Sequence, residues 1–76
     1  MSSVTRSSAQ PLAGSRWRHF KGGLYEVLVV ARAEASLEPQ VVYRSFATED
    51  YWTRPLSVWL EEVAPGVPRF KPDAGD

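Results

Sequence analysis

Leu24-Tyr25-Glu26-Val27-Leu28-Val29-Val30-Ala31-Arg32 is the stretch on which the fold turns. Apart from Glu26 it is apolar at every position up to Arg32, and its Val and Tyr side chains favour extended backbone over helix. A run of nine residues with apolar groups on both faces predicts a central strand in a tightly curled sheet. Upstream, Arg16 to Lys21 alternates aromatic and basic residues and runs into Gly22-Gly23. A glycine pair readily takes the positive φ angles of a tight turn, so a strand, a hairpin turn and the central strand are expected in succession.

Working downstream, Ala33 to Glu38 is polar and reads as a loop, and Pro39, lacking an N–H, suits the mouth of the next strand. Gln40 to Ala47 carries Val41, Val42, Tyr43 and Phe46 and predicts that strand; Thr48-Glu49-Asp50 reads as a turn. Tyr51 to Arg54 is expected to be extended, because a residue preceding proline is pushed out of the helical region. Beyond Pro55 the period changes. Leu56, Trp59, Leu60 and Val63 stand at i, i+3, i+4 and i+7, which predicts a short helix over 55–63. Glu61 and Glu62 would lie unfavourably at the negative end of its dipole, and this keeps a strand reading open. Val67 to Lys71, after Ala64-Pro65-Gly66, is expected to be a last short strand.

Four or five short strands and one helical turn are too few for a sandwich. They suit a mainly β fold, a small SH3-like, partly open antiparallel barrel, since curling limits exposed sheet edges. The alternative is an α+β arrangement, a three-stranded sheet with a helix on one face.

The chain has 76 residues, enough for one small domain. Its first fifteen residues hold five Ser, one charge and few large apolar groups, so residues 1–15 are expected to form a disordered tail. Residues 16–71 form the expected domain, and 72–76, with Pro72 and Gly75, are expected to fray. Nine basic and nine acidic side chains balance. Strong sequence-blind binding of nucleic acid is therefore disfavoured, because clustered positive charge drives it. The absence of cysteine excludes disulfides and thiol nucleophiles and agrees with a reducing, cytoplasmic setting. No apolar run exceeds the five residues Val27 to Ala31, so neither a secretion signal nor a membrane span is expected.

His19, the single histidine, stands in Trp17-Arg18-His19-Phe20-Lys21. It is either an acid or base in a cationic pocket, as a small enzyme acting on a phosphorylated or nucleobase compound would need, or a strand residue whose ring covers the barrel mouth. No nucleophile motif accompanies it, and one histidine with scattered carboxylates shows no metal-ligand spacing, so no metal and no cofactor are expected. Gly22-Gly23 lacks the spacing of a phosphate-cradling loop, and the adjacent acids Glu49-Asp50 and Glu61-Glu62 point to opposite faces and read as solvated surface.

What remains is the interleaving of arginine with aromatic residues. Arg18, Lys21, Arg44 and Arg54 are expected to contact an anionic ligand, with His19, Tyr43 and Trp52 stacking or hydrogen-bonding. The ligand classes are an anionic small molecule such as a nucleotide, single-stranded nucleic acid, or an acidic peptide. Equally, Arg18, Arg44 and Arg54 could pair with Glu26, Glu38 and Glu61 and simply pin strands and loops. A protein-interaction adaptor built on Trp52 and Trp59 is a further alternative, and the chain is expected to be a monomer or weak homodimer.

Taken in order, Trp17-Arg18-His19-Phe20-Lys21-Gly22, Leu24-Tyr25-Glu26-Val27-Leu28, Leu37-Glu38-Pro39, Val41-Val42-Tyr43-Arg44, Trp52 with Arg54-Pro55-Leu56, and Pro68-Arg69-Phe70 closely resemble a small bacterial family, domain of unknown function number sixteen-fifty-three. The likeness spans about residues 16–71. It implies a short bacterial cytoplasmic domain, brings no activity with it, and marks Arg18, His19, Lys21, Gly22, Tyr25, Glu38, Tyr43, Arg44, Trp52, Arg54 and Pro55 as recurring positions. One loop departs from the family pattern: where Ala-x-His-Ser-Glu-Thr-x-Glu is usual, this chain reads Ala31-Arg32-Ala33-Glu34-Ala35-Ser36-Leu37-Glu38, so Ala33 and Ala35 replace a histidine that could have worked with His19 and a glutamate, and the resemblance leaves Glu38 with the arginine and aromatic set for a binding role.

Overall fold

The computed structural model describes residues 10–73. Its elements run β1 (Arg16–His19), β2 (Leu24–Arg32), β3 (Pro39–Ser45), β4 (Tyr51–Pro55), α1 (Leu56–Trp59), β5 (Glu62–Ala64), β6 (Val67–Pro68) and β7 (Phe70–Pro72). Five strands form one antiparallel sheet in the order β4-β3-β2-β1-β7, and β5 and β6 form a separate two-stranded ribbon. The fold is mainly β with one helical turn, as expected. The large sheet does not close into a barrel: β4 and β7 are its two free edges. Among the described residues no helix is long and apolar enough to cross a membrane.

The central strand spans Leu24–Arg32 as its composition predicts. Its uninterrupted apolar character has a second cause besides burial. Val27 pairs with Tyr43, Val29 with Val42 and Val30 with Val41, so the register shifts at Leu28 and the alternation of faces restarts there. A bulge of this kind adds one unpaired residue and deepens the local twist. It returns Val30 to the inner face, where it packs on the core.

The core is small and aromatic. Val27, Val41, Tyr43, Trp59 and Phe70 are buried, with Trp17, Tyr25, Val30 and Leu56 packed against them. Trp59 stacks on Phe70 with ring centroids 3.7 Å apart and planes within 4°, and meets Tyr43 and Trp17 edge-on at 4.9 and 5.7 Å. Full burial of Val27 and Val41 contributes about 1.5–3 kcal/mol each. With so few buried groups, each is a large share of the total stability.

The helix is shorter than its apolar stripe predicts. Only Leu56–Trp59 is helical, Leu60 is 45% exposed, and Glu62–Ala64 pairs with Val67–Pro68 instead. Two carboxylates at a helix C-terminus oppose its dipole. In the ribbon both are better placed: Glu61 pairs with Arg69 at 3.0 Å, and the Glu62 carboxylate accepts the Gly66 N–H. The last predicted strand is likewise split at Arg69, whose backbone N–H turns away to the Glu61 carbonyl.

Order also extends past the expected domain limits. Gly14 donates to the Val27 carbonyl, Val27 donates to the Ser15 carbonyl, and Pro11 is buried, so part of the expected tail lies against β2. At the other end Pro72 pairs with Trp17, and Asp73 donates to the Arg16 carbonyl. The rest of the expected tail (1–9) and of the expected frayed end (74–76) lies outside the described residues.

Candidate functional site

Alternation along the strands divides the candidate residues between the two faces of the sheet. Trp52 is opposite Tyr43 and Arg54 is opposite Val41, so these β4 side chains share the inner face with the core. His19, opposite Phe70, is on the same face. Arg18 and Arg44 lie on the outer face, one opposite Leu24 and the other opposite Glu26 and Tyr51. The set expected to converge is thus split between two sides.

The two outer guanidinium groups are committed to structure. Arg44 donates to Glu26 at 2.9 Å and lies 4.6 Å from the Phe46 ring, and the Glu26 hydrogen bond raises its pKa further above the ordinary arginine range despite some burial. Arg18 donates to the Gly22 carbonyl at 3.1 Å and to the Asp73 carboxylate at 3.0 Å. Pairing of Arg44 with Glu26 follows the structural alternative; Arg18 takes Asp73 rather than any of the expected acids, and Glu61 goes to Arg69. Lys21 is exposed, with its ammonium 5.7 Å from the Phe20 ring. Glu38 is exposed in the β2–β3 loop, beyond the Arg32–Pro39 pair. The Tyr25–Ser45 pair is seven residues back along β2, about 23 Å at ~3.3 Å per residue, so Glu38 is remote from the inner-face group.

Arg54 is different. Its Nε donates to the Tyr43 hydroxyl at 3.3 Å and its guanidinium lies 5.4 Å from the Phe70 ring, but among the described residues no carboxylate pairs with it. It borders an open cleft of about 350 Å³ lined by Tyr25, Tyr43, Ser45, Thr48, Asp50, Trp52 and Arg54. Tyr43 is buried and meets Tyr25 edge-on at 5.3 Å. Since its oxygen already accepts from Arg54, its own O–H is left to donate. The Tyr25 hydroxyl has no hydrogen-bond partner among the described residues. Gly23 makes room for that ring: a Cβ there would stand 2.8 Å from the Tyr25 hydroxyl oxygen. Trp52, 52% exposed, lines the cleft with its indole.

His19 flanks this cleft behind Tyr25. Its ring packs on Phe70 at 4.9 Å, Phe20 at 4.6 Å and Tyr25 at 6.5 Å, and its Nδ1 accepts the Lys21 backbone N–H. Burial, reinforced by Arg54, Arg69 and Lys21, lowers its pKa from the ordinary 6.5, so the ring is neutral at pH 7. With Nδ1 accepting, the neutral ring carries its proton on Nε2. A second hollow, about 390 Å³, lies beside the β1–β2 turn and is lined in part by Arg18, His19, Phe20 and Lys71. The Arg18 guanidinium there is already held on two sides, whereas the Nη donors of Arg54 are unspent.

The structure therefore brings Tyr43, Trp52 and Arg54 to one cleft, places His19 behind Tyr25 where its ring lines the neighbouring hollow with Arg18, and leaves Lys21, Glu38 and Arg44 elsewhere. It adds Tyr25, Ser45, Thr48 and Asp50 to the cleft. Asp50 was legible in principle: Asp50, Trp52 and Arg54 stand at i, i+2 and i+4, the spacing of one strand face.

Comparison with known proteins agrees with this architecture. The family described as "Protein of unknown function (DUF1653)" matches residues 15–72. A crystal structure of a DUF1653 protein from Bordetella bronchiseptica superposes with a TM-score of 0.68 at 35% identity, covering 78% of this chain and 83% of the other. No curated protein matches. The family match over most of the chain, and a shared fold at this identity, place the chain in the DUF1653 family.

Proposed function

We propose that this domain is a non-enzymatic binding module for a small anionic ligand, held in the inner-face cleft with Arg54 on its phosphate or carboxylate group. The observation that carries the reading is the state of Arg54. Arg18, Arg44 and Arg69 each hold a carboxylate at about 3 Å, while Arg54 is oriented by a phenol and a ring face with its Nη donors unspent. A pre-oriented guanidinium with no carboxylate in contact is suited to a forked oxyanion. Tyr25 and Tyr43 offer hydroxyls to the same group, and Trp52 supplies a stacking wall for a planar portion. A volume near 350 Å³ is at the low end for small-molecule sites and suits one mononucleotide-sized molecule rather than a long chain. Balanced net charge also favours a small ligand over a polyanion.

Titration of 15N-labelled protein with adenosine 5′-monophosphate, glutarate and a short oligothymidylate tests the reading. Shifts should cluster on Tyr25, Tyr43, Trp52 and Arg54 with at least one probe. A hydrogen bond to a charged group is worth about 1.5–3 kcal/mol, so Arg54→Gln should weaken binding by roughly 10- to 150-fold. Shifts absent from the cleft with all three probes, or an unchanged affinity in Arg54→Gln, would reject it.

A further inference from the structure

We infer that β4 is the contact strand of a symmetric homodimer, two copies joining edge to edge in antiparallel register about Trp52. β4 ends the five-stranded sheet, and Tyr51 and Trp52 are 67% and 52% exposed, so nothing among the described residues covers this edge. The Ser45 N–H donates to the Asp50 carbonyl across the β3–β4 ladder. Antiparallel ladders alternate, so the Asp50 carbonyl and the backbone groups of Trp52 and Arg54 turn toward β3 and those of Tyr51 and Thr53 turn outward. Pro55, which has no N–H to give, falls on the outward phase as an edge proline should.

The side chains along this edge are complementary to themselves. Asp50, Trp52 and Arg54 form a row of carboxylate, indole and guanidinium on one face, about 6.7 Å apart. Reversed and laid against itself about Trp52, the row sets Asp50 opposite Arg54 of the partner, Trp52 opposite Trp52 of the partner, and Arg54 opposite Asp50 of the partner. Two opposite-charge pairs then flank an aromatic pair, and on the outer face Tyr51 stands opposite Thr53 of the partner. Each such cross-strand pair is favourable. Tyr51 and Thr53 exchange four backbone hydrogen bonds with the second copy, giving the isologous contact of a two-fold axis. No other register of β4 on itself pairs both charges.

The rival edge is poorly suited. β7 is three residues long and carries Lys71 and Pro72, both of which discourage strand addition. On β4 the pairing is bounded by Pro55 at one end and at the other by Glu49, whose φ of 63° ends the extended run. Five residues per copy make a small interface, so the association is reversible and weak.

This inference goes beyond ligand binding and is tested without a ligand. Sedimentation of the full chain from about 10 μM to about 1 mM should show the average mass rising from one chain toward two. Asp50→Arg and Arg54→Asp should each abolish this rise, since each makes the row like-charged against itself. Mixed in equal amounts, the two variants should associate with each other, because their rows are again complementary. Arg54→Asp also loses the bond to Tyr43, so 1H–15N spectra must show the native fold. Thr53→Pro, which removes an outward N–H without touching the charged row, should also be monomeric. A monomer at every concentration overturns the inference, as does association of the single variants at wild-type strength or the failure of folded variants to associate when mixed.

Discussion

Replacing Trp59 with phenylalanine separates two effects that an alanine substitution confounds. Trp59 is 1% exposed and stacks on Phe70, yet its Nε1 has no hydrogen-bond partner among the described residues. Trp59→Ala removes the whole ring and leaves a cavity, at about 3–5 kcal/mol. At about 0.05–0.15 kcal/mol per residue, residues 10–73 have a stability of about 3–10 kcal/mol, so the alanine variant should forfeit about a third of it or more and show a sharply lower urea midpoint. Trp59→Phe keeps a ring for Phe70 to stack on and loses two ring carbons, about 1.6 kcal/mol at ~0.8 per buried methylene-sized group. It also removes the orphaned N–H, whose burial carries a penalty of about 1–3 kcal/mol. The two nearly cancel, so Trp59→Phe should lie within about 1.5 kcal/mol of the parent by urea denaturation followed by far-ultraviolet circular dichroism, with an unchanged m-value. A loss of more than about 3 kcal/mol in Trp59→Phe would refute the reasoning, because it would mean that the indole N–H is satisfied.

His19 should make stability depend on pH in a definite direction. Its folded pKa lies below 6.5, so below that pH the unfolded chain binds the extra proton more readily and folding weakens as pH falls. Denaturation midpoints should therefore drop between pH 7.5 and 5.5, and His19→Gln should flatten that part of the profile. Gly22→Ala and Gly23→Ala should both destabilise the β1–β2 turn by different routes: the first through a φ of +107°, the second by driving the Tyr25 ring aside, at about 1–3 kcal/mol for overpacking. Only Gly23→Ala should shift the Tyr25 and Tyr43 ring resonances; equal shifts in both variants would contradict the packing. Finally, an anion on Arg54 and the second copy's Asp50 compete for one guanidinium, so saturating adenosine 5′-monophosphate should lower the sedimentation-average mass. An unchanged mass with the cleft occupied would separate the two uses of Arg54.

The central strand, the Gly22-Gly23 turn and the extended stretch before Pro55 were readable because each rests on a local rule. β-branched content, positive φ and the proline clash act within a few residues. The bulge at Leu28 was hidden because Leu28, Val29 and Val30 are all apolar, and a phase shift inside an unbroken apolar run leaves no mark on the pattern. The helix was overextended for a related reason. Leu60 and Val63 keep the helical spacing, but that spacing says nothing of the Arg69 and Gly66 partners that draw Glu61 and Glu62 into the ribbon. At the site, residue type alone could not distinguish Arg54 from Arg18 and Arg44. What separates them is the face each strand position assigns and the acid found there, and both follow from long-range register. Asp50 was passed over beside Glu49 as turn surface, although counting in twos from Arg54 reaches it.

With Leu28 deleted, Val27 would still stand opposite Tyr43, Val29 opposite Val42 and Val30 opposite Val41, so every rung of the ladder would keep its partner. What the single extra residue supplies is shape, an added coil in the sheet beneath the stacked Trp59 and Phe70 rings. A shortened chain would spell the same ladder on a flatter sheet, with less curvature to wrap the aromatic pair.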